Sequence, residues 1–211
     1  MKRIIIPLLI MLSLGLNAQE NNEFKTIFGG QSIGGYGAIG GGYTLINQDN
    51  AMIFNARGGV VLGHTFAIGL GGSGFISEYQ YNPALTQKAS LAGGYGGAFV
   101  ELIVFGRSPV HLSFPVLIGI GGAAYTTWQN EGSDFERENF VEQTATFGVF
   151  EPGVELEFNI TKFFRLAAYF NYRYASNIDI TKIIDDEPVK LVLPDALTSY
   201  SAGIILKFGK F

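Results

Sequence analysis

Three groups of residues in this 211-residue chain have types and spacings that could do chemistry. The first is "GGYGAIGGGY", Gly34 to Tyr43, which holds G-x-G-x-x-G at Gly35, Gly37 and Gly40, the spacing of a dinucleotide-binding turn. That chemistry needs the glycine turn to open a helix, with an acidic residue about 20 positions later for the ribose. After Gly40 comes "GGYTLINQDN", with no helical period, and the acidic position falls at Asn55 to Arg57. The nucleotide reading fails. The second group is the two histidines, His64 and His111, which a hydrolytic site would need beside a serine or carboxylate. Both sit at or just beyond tight connections between apolar runs, which assigns them structural or turn roles. With no cysteine and no EF-hand spacing among the acids, the sequence predicts no catalytic residue, no cofactor site and no metal site.

The third group is charges inside apolar runs. In the stretch around 150–158, Phe150, Val154, Leu156 and Phe158 share one parity, so Glu151, Glu155 and Glu157 take the other. In the next run Phe164, Leu166, Phe170 and Tyr172 stand opposite in phase to Arg165 and Arg173. Period-two alternation is the signature of a strand with two unlike faces. The same test puts Arg57 and Glu101 on the charged face, which gives three bases and four acids. A hairpin centred on Thr161 sets Glu157 opposite Arg165. These seven residues are expected to form a hydrogen-bonded polar plug on the side that also carries Tyr36 and Tyr95, each within a "GGYG". Glycine makes room in a narrow interior, so the two rings are expected to lie across a lumen floored by Gly34, Gly40, Gly93 and Gly97.

The elements that must position these residues number eight. Alternating runs occur at about 32–45, 51–62, 66–81, 88–105, 110–128, 141–158, 163–178 and 197–210. The connections at Gly63 to Thr65, Gly106 to Pro109 and Asn159 to Lys162 are tight. Those at Ile46 to Asn50, Asn82 to Gln87, Gln129 to Phe140 and Asp179 to Ala196 are looser and mostly longer. An even number of strands with short turns at one end and long loops at the other is the plan of a transmembrane β-barrel. The aromatic residues agree. Trp128, Tyr43, Tyr79, Tyr81, Tyr172, Tyr174 and Tyr200 gather toward the long loops, and Phe66, Phe105, Phe158, Phe163, Phe164 and Phe208 toward the short turns.

The N-terminus agrees with export. Lys2 and Arg3 precede an apolar stretch from Ile4 to Leu16 that is too short to span a bilayer, then "NAQE". We read 1–18 as a cleaved signal peptide and 19–211 as a single β-barrel domain. Removing 18 of 211 residues takes away two of the 14 basic groups, so 12 face 18 acids and the net charge becomes 12 − 18 = −6. Without a basic stripe, nucleic acid is excluded as a partner.

On the signal peptide, the loop asymmetry, the aromatic belts and the final Phe211, the chain resembles the small eight-stranded outer-membrane barrels of the OmpA/OmpX type. The resemblance implies an all-β, antiparallel up-and-down barrel in the outer membrane of a Gram-negative envelope. Its implied partners are outer-membrane lipids, lipopolysaccharide and the barrel-insertion machinery. One marker departs: Ala202, Ile204, Leu206 and Phe208 set the outward phase, so Phe211 is out of step unless a bulge at Gly209 intervenes. The expected role is a non-enzymatic scaffold that presents acidic loops for membrane integrity or external binding. The "PVKLVLP" of the Asp179 to Ala196 loop would extend the wall or offer an edge to an extracellular partner. A soluble periplasmic lipocalin-like binder, a lipid-modifying barrel enzyme and a narrow pore are the alternatives.

Overall fold

The computed structural model describes residues 33–82, 87–128, 139–184 and 187–211. The expected signal peptide and most of the Gln129 to Phe140 loop lie outside the described residues. Eleven strands follow one another: β1 (Ile33–Ile46), β2 (Asp49–Leu62), β3 (Phe66–Ser77), β4 (Gln80–Asn82), β5 (Gln87–Val104), β6 (Val110–Trp128), β7 (Asn139–Asn159), β8 (Phe164–Ala175), β9 (Thr181–Ile184), β10 (Glu187–Lys190) and β11 (Ser199–Lys210). Eight of them form the wall, in the order β3, β2, β1, β11, β8, β7, β6, β5, and pairing of β3 with β5 closes the ring. Every pairing is antiparallel. Closure leaves no wall strand with a free edge along its paired length, which is how an all-β protein avoids pairing with another chain.

The expected runs and the observed strands agree closely, with local differences. The run at 66–81 breaks, and β4 resumes as a short strand on β5. The run at 163–178 stops at Ala175. The looser connection expected at Ile46 to Asn50 is a two-residue turn, in which Asn47 and Gln48 take φ of 54° and 69°. Two consecutive residues of positive φ make the turn whose twist matches that of a hairpin. Long loops are therefore not a property of every connection at that end. A register shift between Tyr125 and Thr126 interrupts the β6–β7 ladder.

Burial alternates along the wall. On β8 every second residue from Arg165 to Ala175 is buried, and on β1 Tyr36, Ala38, Thr44 and Ile46 are buried. The outward face is apolar: Leu70 is 71% exposed, Ile118 62% and Ile120 77%, with Ile39, Ile68, Val100 and Ile204 beside them. The inward face carries charge: Glu101, Glu155, Glu157, Arg165, Arg173 and Lys207 are all buried. A soluble barrel has the opposite arrangement.

Aromatic rings band both ends of the outward face. Toward the short turns Phe208 stacks on Phe164 at 5.0 Å and meets Phe163 at 5.9 Å. Toward the long loops Tyr200 lies 5.5 Å from Phe170 and 4.9 Å from Tyr172.

The loop after β8 folds back over the barrel mouth. Ile178, Ile180, Leu191, Val192, Ala196 and Leu197 are buried there. Backbone hydrogen bonds hold them: Ile178 N–H donates to Pro194 O, Leu191 N–H to Ile180 O and Asn47 N–H to Ala196 O. The "PVKLVLP" stretch thus divides. Its first half pairs as β10 on β9, and Leu191 and Val192 turn into the apolar cap rather than extending the wall.

Candidate functional site: the polar lumen

The inward charges meet at the centre of the barrel around a residue outside the expected seven. Lys207, on β11, is 1% exposed and places its Nζ 2.5 Å from Glu101 Oε1, 2.7 Å from Glu155 Oε2 and 2.5 Å from Glu157 Oε1. These three carboxylates come from β5 and β7, across the lumen from β11. Their oxygens are close enough together to hold a metal ion, but the ammonium of Lys207 occupies the cation position. Parity could have found Lys207, because it lies between outward Leu206 and Phe208.

Arg57, on β2, adds a second cation, with its guanidinium 2.6 Å from Glu155 and 3.8 Å from Glu101. Tyr36 donates its hydroxyl to Glu101, and its ring lies 5.2 Å from Lys207 Nζ. Glu157 also receives Ser113 Oγ–H at 2.6 Å and meets His111 Nε2 at 3.0 Å and Arg165 at 3.2 Å.

The contact of Glu157 with Arg165 is diagonal. The register pairs Glu157 with Ala167 and Asn159 with Arg165, two residues away from the hairpin expected around Thr161. The turn keeps four residues, 160–163, but is centred one residue beyond Thr161, whose Oγ1 accepts from the Phe163 and Phe164 amides. A two-residue slip preserves parity, so Arg165 still faces the lumen.

The seven charges expected to act together do not all meet: five share one cluster and two stand apart from it. Arg57, Glu101, Glu155, Glu157 and Arg165 share the cluster around Lys207. Glu151 stands above it, bonded to Tyr95 Oη–H and to Asn171 Nδ2–H at 3.2 Å rather than to a base. Arg173 has no acidic partner within ion-pair distance among the described residues. Its Nε–H donates to Leu197 O at 2.6 Å and its Nη2–H to Thr44 Oγ1 at 3.3 Å, while its guanidinium lies 5.4 Å from the Phe75 ring. Arg173 therefore ties the wall to the cap.

Tyr36 and Tyr95 are buried and reach Glu101 and Glu151, and the room beside their rings comes from neighbouring strands. Tyr36 is paired with Gly59 on one side and Gly209 on the other. A Cβ on Gly121 would lie 2.6 Å from both Tyr95 Cβ and Phe147 Cζ. Of the four glycines expected as a floor, Gly40 yields its space to Ile205 and Gly93 to Phe75, while Gly34 and Gly97 face the backbone of adjacent strands.

Phe211 packs inward at the short-turn end. The β1–β11 register runs without a shift through Gly35 and Lys210, so no bulge restores the outward phase. The Phe211 ring stacks on Tyr36 at 5.7 Å and lies 3.7 Å under the Arg165 guanidinium.

The chemistry open to this arrangement is limited by its partners. His111, Ser113 and Glu157 share one corner, but Ser113 donates its hydroxyl to the Glu157 carboxylate, and His111 Nε2 faces that same carboxylate. A nucleophile has to donate to its base, and the base has to be oriented by the acid. His64 is in the β2–β3 turn with φ of 59°. The cavity beside Arg57, Glu151 and Asn171 has a volume of about 30 Å³, enough for a water.

The fold is that of an eight-stranded, closed, antiparallel up-and-down barrel. Its likeness to solved structures is to small outer-membrane barrels. Neisserial surface protein A superposes with a TM-score of 0.51 at 12% identity, over 85% of this chain and 97% of that one. Ail of Yersinia pestis, solved with the heparin analogue sucrose octasulfate, gives 0.46 at 14%, over 84% and 100%. The N-terminal barrel of Pseudomonas aeruginosa OprF gives 0.41 at 12%, over 85% and 98%. No family model matches the chain, and no curated protein matches it.

Proposed function

We propose that this chain is a non-enzymatic outer-membrane protein, a rigid scaffold with a sealed lumen that presents loops for membrane integrity or external binding. One observation carries the reading: charge is buried inside the wall and large apolar side chains cover its outside. Hydrocarbon is the solvent that favours that arrangement, and a closed barrel satisfies the backbone within it. In this reading residues 1–18 direct export and are removed, and the barrel-insertion machinery assembles the rest. The acidic loops contact lipopolysaccharide through divalent cations, and the Asp179 to Ala196 loop is the surface for an extracellular partner.

The lumen has no path for a solute in this reading. Phe211 and Arg165 fill one end, the Lys207 cluster the middle, and Arg173 with the cap the other end. The test is fractionation with boiled and unboiled gel mobility, followed by planar-bilayer recording. An outer-membrane band with heat-modifiable migration and no sustained conductance is expected. Release in the soluble periplasmic fraction without detergent would refute the membrane reading, and a steady open channel would refute the seal.

A further inference from the structure

The short-turn mouth of the barrel has a charge character unlike the mixed-charge cluster above it. A cavity of about 570 Å³ opens there, and its lining includes Arg107, Lys162, Lys210 and Arg165 but no acidic side chain. Arg107, Lys162 and Lys210 are exposed, and none has a carboxylate partner among the described residues. Arg165 is 4% exposed; its one carboxylate partner, Glu157, is shared with Lys207 and His111, and its buried Nε–H has no acceptor.

The neutral polar groups of the lining are already used. Asn159 Nδ2–H donates to Ser108 O at 2.7 Å, and Thr161 Oγ1 accepts from two backbone amides. Recognition in this cavity therefore falls to the cations. Like charges around one concave space raise the local potential and repel one another, and a multivalent oxyanion relieves both effects. Arg and Lys together are the usual partners of phosphate, the first by a planar fork and the second as a point charge.

We propose that this mouth is a binding site for a phosphate-bearing anion, held at the rim by Arg107, Lys162 and Lys210 and backed by Arg165. The phosphate is that of a soluble ester or of a lipid headgroup folded over the rim, where Phe163 is exposed on the outer wall next to Lys162. The soluble source is independent of the proposed membrane location; the lipid source rests on it.

The experiment uses the full chain in an uncharged detergent, titrated calorimetrically with inorganic phosphate and pyrophosphate. In parallel, the chain is reconstituted into phosphatidylcholine vesicles containing phosphatidic acid, and retained lipid is counted by native mass spectrometry. The triple variant Arg107→Gln, Lys162→Gln, Lys210→Gln changes only exposed side chains, and unaltered heat-modifiable mobility verifies its fold. Binding weaker by about tenfold or more is expected in the triple variant, since three charge-assisted contacts are lost. The pair Lys88→Gln, Lys190→Gln at the opposite end is expected to bind like the parent. Binding of the free anions assigns a soluble ester, and selective retention of phosphatidic acid alone assigns the headgroup. Absence of both, or a triple variant equal to the parent wherever binding is seen, overturns the proposal and leaves the outer-membrane reading untouched.

Discussion

Lys207 Nζ stands 2.5 Å from Glu157 Oε1, inside a barrel whose wall places the two residues on non-adjacent strands. The ammonium serves three carboxylates at once, so removing it takes an ion-pair partner from more acids than removing Arg57 or Arg165 does.

Replacing Lys207 with Met is expected to destabilise the barrel by about 3 to 5 kcal/mol, the scale for stranding one partner of a buried pair. The measurement is the urea midpoint of unfolding in lipid vesicles, read by gel mobility. A variant as stable as the parent would show that the three glutamates are compensated without the ammonium.

Arg165→Ala should cost less, about 1 to 3 kcal/mol, because Glu157 keeps Lys207, His111 and Ser113. The ordering is the informative result. An Arg165 variant weaker than the Lys207 variant would move the centre of the network to the short-turn end.

Gly121 and Gly37 separate two uses of glycine. Gly121→Ala is expected to lose about 1 to 3 kcal/mol, because its Cβ would meet Phe147 and Tyr95 at 2.6 Å. Gly37, where a Cβ meets nothing within 4 Å, should accept Ala at no cost. The same urea series compares them.

Outward charge tests the solvent of the wall. Leu70→Arg or Ile118→Arg should destabilise by about 2 to 4 kcal/mol in a bilayer if these positions lie near its midplane. Equal stability of the two variants and the parent in vesicles would mean that the outer face is not in hydrocarbon.

Much of the wall was legible because alternation is a strong local signal. A strand between two unlike solvents shows its parity in every residue, which is why Glu151, Glu155 and Arg173 could be assigned a side from sequence. Register is weaker, since a two-residue slip leaves parity unchanged, and the pairing of Glu157 with Ala167 goes with a turn centred one residue beyond Thr161. The split between the Lys207 cluster and Arg173 depends on height along the axis, which parity does not carry. Neither does it carry the fate of Ile180, Leu191 and Leu197, whose burial is fixed by the mouth they cover. Phe211 was legible as out of step, and its stacking on Tyr36 needed three dimensions.

The position of Lys207 on the last wall strand joins electrostatics to closure. Up to β8, the Arg, Lys and Glu side chains that the wall turns to the lumen are Arg57, Glu101, Glu151, Glu155, Glu157, Arg165 and Arg173, a formal sum of 3 − 4 = −1. β11, paired with β8 on one side and β1 on the other, carries Lys207, whose positive charge balances that sum. An unzipped barrel is thus both open-edged and internally frustrated, and a single strand cures both faults. The strand that joins the two ends of the chain's wall is thus also the strand that neutralises its interior, and one ammonium group ties the seam to the far side of the lumen.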